Sequence, residues 1–227
     1  MANKITEQIQ GNISNTIALL LWENEAIKVD HEHPFKLASG NFSPIYINCR
    51  QVISDPVFMH LFTASARIIC SRAKVLSDVI AGGETAGIPF GAYLAQVLSL
   101  PFIYVRKAKK GHGIANLIEG GLKVEDKLVL LVEDLITDAG SKLHFINALR
   151  KAGAEVEDVL VLFDRKQGGK QTLEKEGIEL HALTNLQSAL EVAVNNDLLT
   201  PEQFQSVTDY LEDPRGWHDA KGLKFCE

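Results

Sequence analysis

Glu133 and Asp134 are adjacent acids that end a run of five apolar residues, Leu128, Val129, Leu130, Leu131 and Val132. Small and polar residues follow: Thr137, Asp138, Ala139, Gly140 and Ser141. An apolar run without alternation is expected of a strand covered on both faces in a parallel sheet. Beyond the small residues, Phe145, Ala148, Leu149 and Ala152 fall on one face of a helical pattern. The acids therefore sit at the carboxyl end of a buried strand, and the small residues at a helix N-terminus. Backbone N–H groups in such a turn, with the positive end of the helix dipole, form a cradle for a phosphate. Two carboxylates would repel a phosphate, but they suit the vicinal hydroxyls of a sugar, which donate hydrogen bonds to acids. A phosphorylated ribose satisfies both halves of the motif. A buried strand ending in surface acids and a helix cap accounts for the same residues without a ligand.

Three further groups carry chemistry. Arg106, Lys107, Lys109, Lys110 and His112 concentrate cationic groups beside Gly111 and Gly113, in a chain whose net charge is -6. Either a solvated basic loop or a mobile one matched to a highly anionic group such as pyrophosphate fits them. Arg165 follows the apolar run Val159, Leu160, Val161, Leu162 and Phe163, with Asp164 between. That puts a guanidinium at the carboxyl end of a strand, the side on which ligands bind in open α/β sheets, although pairing with a neighbouring acid is equally consistent. Gly82, Gly83, Glu84, Thr85, Ala86 and Gly87 form a glycine-rich turn after Val79, Ile80 and Ala81. Tight turns need glycine anyway, so this turn alone is weak evidence of a ligand.

The elements that must position these groups alternate between strand and helix. A helical stripe of Ile5, Ile9, Ile13, Ile17, Leu20 and Leu21 opens the chain. Asp30, His31, Glu32 and His33 before Pro34 read as a solvated loop, because metal ligands usually come from more than one element. Two short strands around Ser39, Gly40 and Asn41 predict a hairpin running on to Tyr46 and Ile47. Asp55 and Pro56 are the N-cap and first residue of a helix with Phe58, Leu61, Phe62 and Ile69 inward. Phe90, Tyr93, Leu94 and Val97 predict the apolar face of the next. Another strand spans 100–105, a short helix and last strand lie within 173–183, and Leu186, Ala189, Leu190 and Ala193 mark a further helix. Thr200 and Gln203 form a capping box for a helix with Phe204, Val207 and Leu211 inward. The tail from 213 onward, with Trp217, His218 and Phe225, is expected to pack against the body or a sister subunit.

The 227 residues, 46% hydrophobic and 23% charged, fit one α/β domain around a parallel sheet. No repeat or long linker divides it. The acidic balance argues against general nucleic-acid binding. No apolar run reaches transmembrane length and the first residues lack a signal-peptide pattern, so a chain without membrane contact is expected. Cys49, Cys70 and Cys226 are widely spaced, which reads as reduced thiols in a cytoplasm.

The central motif resembles the signature for phosphoribosyl pyrophosphate (PRPP) of the type I phosphoribosyltransferases. Asp138 and Ala139 depart from the commoner Thr-Gly of that family, whose glycine permits φ > 0. Three motifs resemble one branch, the orotate phosphoribosyltransferases: the hairpin F-x-L-x-S-G-x-x-S-P-x-Y-I-N from Phe35 to Asn48, the basic loop R-K-x-x-K-x-H-G, and Asp164-Arg165. The resemblance implies the type I fold, a central parallel sheet flanked by helices with a small N-terminal hood. In that reading the hood lies mainly within 1–54, the core at about 55–185, and C-terminal helices and tail at 186–227.

It also implies the reaction of orotate with PRPP to give orotidine 5'-monophosphate and pyrophosphate, with Mg2+ as cofactor and no protein metal ligands. Glu133 and Asp134 would meet the ribose hydroxyls, and Thr137, Asp138, Ala139, Gly140 and Ser141 the 5'-phosphate. Glu84 and Thr85, whose peptide is often cis in the family, would belong to a pyrophosphate loop. Arg106, Lys107, Lys110 and His112 would close over the pyrophosphate, with Lys110, His112 and Asp134 catalytic. Tyr46, Ile47, Thr137 and Arg165 would contact orotate. Lysines found in relatives at the places of Ala38 and Ala86 are absent. A homodimer whose basic loop partly completes the neighbour's site is implied as well. A type I enzyme for another base, and a PRPP-sensing regulator without catalysis, remain as alternatives. Such a regulator is expected to lose the basic loop, which this chain retains.

Overall fold

A computed structural model describes residues 2–37, 39–108 and 117–226. Lys109, Lys110, His112 and Ala38 lie outside the described residues. In chain order the elements are α1 (Ala2–Glu23), β1 (Ile27–Val29), β2 (Phe35–Lys36), β3 (Phe42–Ser43), β4 (Ile45–Ile47) and a 3-10 helix (Cys49–Ser54). There follow α2 (Pro56–Ala73), β5 (Val79–Gly83), α3 (Gly87–Leu98), β6 (Phe102–Val105), β7 (Ile118–Glu119), β8 (Val129–Ile136) and α4 (Gly140–Lys151). The chain ends with β9 (Asp158–Asp164), α5 (Gly169–Lys175), β10 (Glu179–Asn185), α6 (Leu186–Asn195), α7 (Pro201–Glu212) and α8 (Pro214–Ala220).

Six strands form one sheet in the order β10-β9-β8-β5-β6-β7, parallel except for β7, which runs antiparallel to β6. From β5 the chain moves to one side of the sheet, to β6. From β8 it moves to the other, to β9. The two connections part between β5 and β8, and the crevice they leave at the carboxyl ends is where ligands bind in open α/β sheets.

Both faces of the sheet are covered, which explains the unbroken apolar runs. Leu130 and Val132 join a core with Phe58, Phe62 and Phe90, whereas Val129 and Leu131 join another with Phe145, Ile146 and Leu149. Successive strand residues alternate between these two cores. Helix α1 lies on β10 and α6, pinned by Ser14 Oγ donating to Thr184 Oγ1 (3.1 Å) and Trp22 Nε1 donating to the Ala189 carbonyl (2.9 Å). The expected hairpin is the antiparallel pair β2–β3, and β4 returns to pair with β1. Asp55 accepts from the Val57 N–H as N-cap, and Thr200 and Gln203 form the capping box.

Four expected inward positions face outward. Ile5, Leu61, Tyr93 and Val97 are exposed, and the buried residues of α2 and α3 are instead Met59, Thr63, Ala66, Cys70, Gly91 and Ala95 beside those expected. The apolar stripe of each helix is wider than the face that meets the sheet. Ala152 is likewise exposed, as the C-cap of α4.

Helix α3 approaches β5 backbone to backbone. A Cβ on Gly82 would stand 2.6 Å from the Gly87 carbonyl oxygen and 2.9 Å from Ile88 Cα. Neither obstacle is a flexible side chain, so the helix would have to move. Overpacking of this kind costs about 1–3 kcal/mol. Gly82→Ala is expected to lower unfolding stability by that amount in urea titrations at unchanged m-value; unaltered stability would show that α3 is not seated on β5 in this way.

Candidate active site

Strand β8 continues through both acids to Ile136, four residues beyond the end of its apolar run. The acids therefore stand inside a strand and point to opposite faces. Glu133 is buried, and its Oε2 lies 2.9 Å from Lys142 Nζ. Its Oε1 packs where a Cβ on Gly83 or Gly87 would fall, and that oxygen is buried without a hydrogen-bond partner among the described residues. Asp134 looks the other way, toward the hood. Arg50 Nε of the 3-10 helix lies 4.0 Å from its Oδ2, and the Asp134 charge reaches Cys49.

Charge on Glu133 is decided by opposing effects. Burial raises its pKa, the Lys142 ammonium and its hydrogen bond pull it down, Asp134 adds to the rise, and Lys107 opposes it; the balance is upward. Lys142, 7% exposed, follows the small-residue turn in the first turn of α4 and also donates to Ser141 Oγ (3.3 Å). Sequence reading passed over it because a lysine there continues a helix surface. The signal that could have marked it is its place three residues before Phe145 on the inward stripe, where a charge needs a partner.

The turn itself has the shape expected of a cradle. Ala139 is in the left-handed region, φ 75°, where the family's glycine would sit freely. Asp138 Oδ1 accepts from the Gly140 N–H (3.0 Å), and no side chain caps the helix that follows. Thr137 is half-buried, while Ser141 is open to solvent.

Two loops separated in sequence meet beside this turn. The Lys107 N–H donates to Glu84 Oε2 (2.8 Å), and the Glu84 N–H donates to the Val105 carbonyl (2.8 Å), so the glycine-rich turn is fastened to the start of the basic loop. The Glu84-Thr85 peptide is cis. Arg106 turns back along β7, its Nη1 lying 3.8 Å from Glu119 and its Nε donating to the Ala108 carbonyl. Lys110 and His112 lie outside the described residues.

On the hood side, Arg165 follows β9 beside Cys49, Tyr46 and Tyr210, and burial opposes its charge. Its Nε is buried without a hydrogen-bond partner among the described residues. Tyr46, 41% exposed, stacks at 5.5 Å on Phe35, while its neighbour Ile47 is buried in the core. The open side chain at the crevice is therefore Tyr46. Arg50 and Tyr210 were not singled out from the sequence, since only the packing of hood and C-terminal helices brings them here. The Cys49 thiol is pushed well up by burial, and that of Cys70 to about 11, so both are protonated and unreactive.

Asp158, Glu179 and His181 also cluster, their ligand atoms within 4.8 Å of one another, with His181 Nε2 2.6 Å from Asp158 Oδ1. They lie at the amino ends of β9 and β10, the opposite edge of the sheet from Asp134 and Arg165. The loop at 30–33 is a capped turn, Asp30 Oδ1 accepting from the Glu32 and His33 N–H groups.

The sequence family described as phosphoribosyl transferase domain matches residues 56–187. An orotate phosphoribosyltransferase of Sinorhizobium fredii is 40% identical over 214 residues, covering 92% of each chain. Among solved structures, the orotate phosphoribosyltransferase of Aeropyrum pernix is 31% identical with a TM-score of 0.69, covering 77% of this chain and 96% of its own. The UMP synthase of Leishmania donovani is 29% identical with a TM-score of 0.75, covering 88% of this chain, which spans 42% of that longer protein.

Removing the ammonium from Glu133 leaves an uncompensated buried charge, a loss of about 3–5 kcal/mol when a buried pair is broken. Lys142→Met is expected to lose stability on that scale at neutral pH. The folded pKa of Glu133 is raised, so below its unfolded value the group is protonated in both states and ionisation costs nothing. Without the ammonium the Glu133 carboxyl is raised further, so the variant takes up its proton first as pH falls. The difference between variant and parent should shrink with falling pH until the parent carboxyl is protonated as well. Urea denaturation at a series of pH values reads it, and a difference independent of pH would contradict the pairing.

Proposed function

The chain belongs to the orotate phosphoribosyltransferases of the phosphoribosyl transferase family, and on that premise we propose that the crevice between β5 and β8 is where orotate and PRPP react. The enzyme transfers a phosphoribosyl group to orotate, giving orotidine 5'-monophosphate and pyrophosphate, a step toward pyrimidine nucleotides. Orotate's ring nitrogen is the nucleophile and pyrophosphate leaves from the anomeric carbon with inversion. The barrier is that of an oxocarbenium-like state, as in glycoside hydrolysis, and no covalent enzyme residue is needed.

Asp134 and Glu133 take the ribose hydroxyls. Asp134 is the open acid, and the partnerless Oε1 of Glu133 supports its share. Thr137, Asp138, Ala139, Gly140 and Ser141 hold the 5'-phosphate at the start of α4, whose N-cap Ala139 has no capping side chain. Glu84 and Thr85 border the pyrophosphate. Arg106, Lys107, Lys110 and His112 close over it, excluding water and countering developing charge.

The observation that carries the choice of base is Arg165, a half-buried guanidinium with a buried, partnerless Nε, within electrostatic reach of Tyr46. A planar guanidinium with a donor left unpaired at the crevice suits a carboxylate, which orotate has and purine bases lack. Tyr46, Ile47 and Thr137 complete the base site.

Mg2+ fits the donors at this edge: Asp134 and the hydroxyls of Thr137 and Ser141 are hard oxygen groups, too few to hold the ion alone, so PRPP oxygens and water would supply most of its shell. When bound, the ion supplies positive charge against the leaving pyrophosphate. The Asp158, Glu179 and His181 cluster stands at the wrong edge for that work.

The whole chain acts as one domain, and its assembly is a homodimer with shared sites. Val57, Leu61 and Ile68 share one exposed face of α2, and Tyr93 and Val97 extend it on the adjoining α3. An exposed apolar patch of this kind marks an association surface. No described helix is long and apolar enough to cross a membrane. The free thiols of Cys49, Cys70 and Cys226 support a reducing cytoplasm, and the acidic balance leaves no role for nucleic acid.

Loss of orotate absorbance is expected with PRPP and Mg2+, and none with uracil, hypoxanthine or adenine as acceptor. Consumption of another base would overturn the role of Arg165. Lys110→Ala should lower turnover about 10²–10³-fold, the scale of one preorganised donor, at unchanged melting temperature. Val97→Glu should shift sedimentation toward monomer and lower activity with it; a fully active monomer would remove the shared site.

A further inference from the structure

The C-terminal segment, expected to pack against the body or a sister subunit, is fastened to the hood of its own chain. His218 is fully buried. Its Nε2 accepts from the Phe42 N–H (2.9 Å), and its Nδ1 lies 2.6 Å from the Pro214 carbonyl oxygen. Because Phe42 N is the donor, the ring proton sits on Nδ1 and is given to Pro214. Asn41 exchanges two hydrogen bonds with the backbone of Cys226: Nδ2 to the carbonyl at 2.9 Å, and the Cys226 N–H to Oδ1 at 2.7 Å. Lys221 Nζ donates to the His31 carbonyl (2.8 Å).

Both walls of the crevice around Arg165 lead back to this imidazole. Phe42 begins β3, Ser43 Oγ donates to the Ile45 carbonyl (2.8 Å), and Tyr46 follows on β4. The path from the His218 ring to the exposed phenol is therefore four residues of hydrogen-bonded chain. On the other side, the His218 ring lies 6.3 Å from that of Tyr210 and 5.3 Å from that of Trp217, which packs edge-on against Tyr210 at 5.4 Å. Tyr210 in turn lies within electrostatic reach of Arg165. Phe225 covers the imidazole at 5.1 Å, and Arg215 lies over the Phe225 ring at 5.4 Å.

We infer that His218 is a positioning residue for the base site, tying the hood segment that runs from Phe42 to Tyr46 and the helix that presents Tyr210 into one rigid frame around Arg165. The inference rests on the assignment of Tyr46 and Arg165 to orotate. A mobile hairpin would leave the guanidinium in place while the opposite wall wandered, and binding would then have to order that wall. The ribose and phosphate groups of β8 and α4 do not depend on these contacts.

The test is steady-state kinetics with each substrate varied in turn, on the full chain and on His218→Phe, His218→Gln and Asn41→Leu. His218→Phe keeps an aromatic ring and removes both hydrogen bonds. Asn41→Leu breaks the second fastening independently, and serves if the first variant does not fold. Each should raise the KM for orotate about tenfold, the order of one or two lost hydrogen bonds, and leave that for PRPP within about twofold. His218→Gln, which keeps a donor and an acceptor, should recover most of the loss. Parallel changes in both KM values, or a lowered melting temperature with unchanged kinetics, would overturn the inference. Failure of the parent chain to use orotate would instead remove the base assignment on which it stands.

Discussion

A carboxylate buried between a strand and a helix has to be neutralised, and the site is built around how Glu133 meets that demand. Its oxygens occupy the space that side chains on Gly83 and Gly87 would need, so the strand carrying it and the turn before α3 close together only because both positions are glycine. The remaining charge is met by Lys142, which arrives from the first turn of α4. One ion pair thus joins the ends of β5 and β8 and the start of α4, the three places from which the crevice is made. A pair of this kind contributes little net stability, because desolvation of both partners offsets their attraction, but breaking it is costly. Its value here lies in fixing relative position.

Catalytic precision and flexibility are divided between the two sides of this centre. The phosphate and ribose groups hang on β8 and α4, elements with cores on both faces. In the proposed reading the base side is made from short hood strands, paired only two by two, and C-terminal helices, held together by long-range hydrogen bonds between residues as far apart as Asn41 and Cys226. Such a division suits an enzyme whose anionic substrate needs a fixed cradle and whose planar base needs a close wall. In the proposed reading it also brings the last residues of the chain to the base site.

Much of this was legible in order. Unbroken apolar runs announced buried parallel strands, Asp55 with Pro56 and Thr200 with Gln203 announced helix starts, and the acids, small-residue turn and basic loop appeared as separate chemical groups. These are local signals, set by backbone propensity, capping and period, and they survive folding because the tertiary contacts agree with them. The misplaced residues have one cause. Leu61, Tyr93 and Val97 carry the helical period of a core, but a stripe wider than the contact face looks the same in sequence whether it meets the sheet or projects outward.

What the sequence determined by itself was the identity of the chemistry: which residue types stand at strand ends and in loops, and therefore that a phosphate, a sugar and an anionic leaving group could be held. Which acid faces which way was decided by the pleat of β8, since adjacent residues of a strand must diverge. Pairing of Glu133 with Lys142, of Lys107 with Glu84 and of Phe42 with His218 was decided only when the elements packed. Those contacts join positions 9 to 176 residues apart, a range over which composition and periodicity carry no information. Only the close-packed interior, with its need to satisfy each buried polar group, selects them.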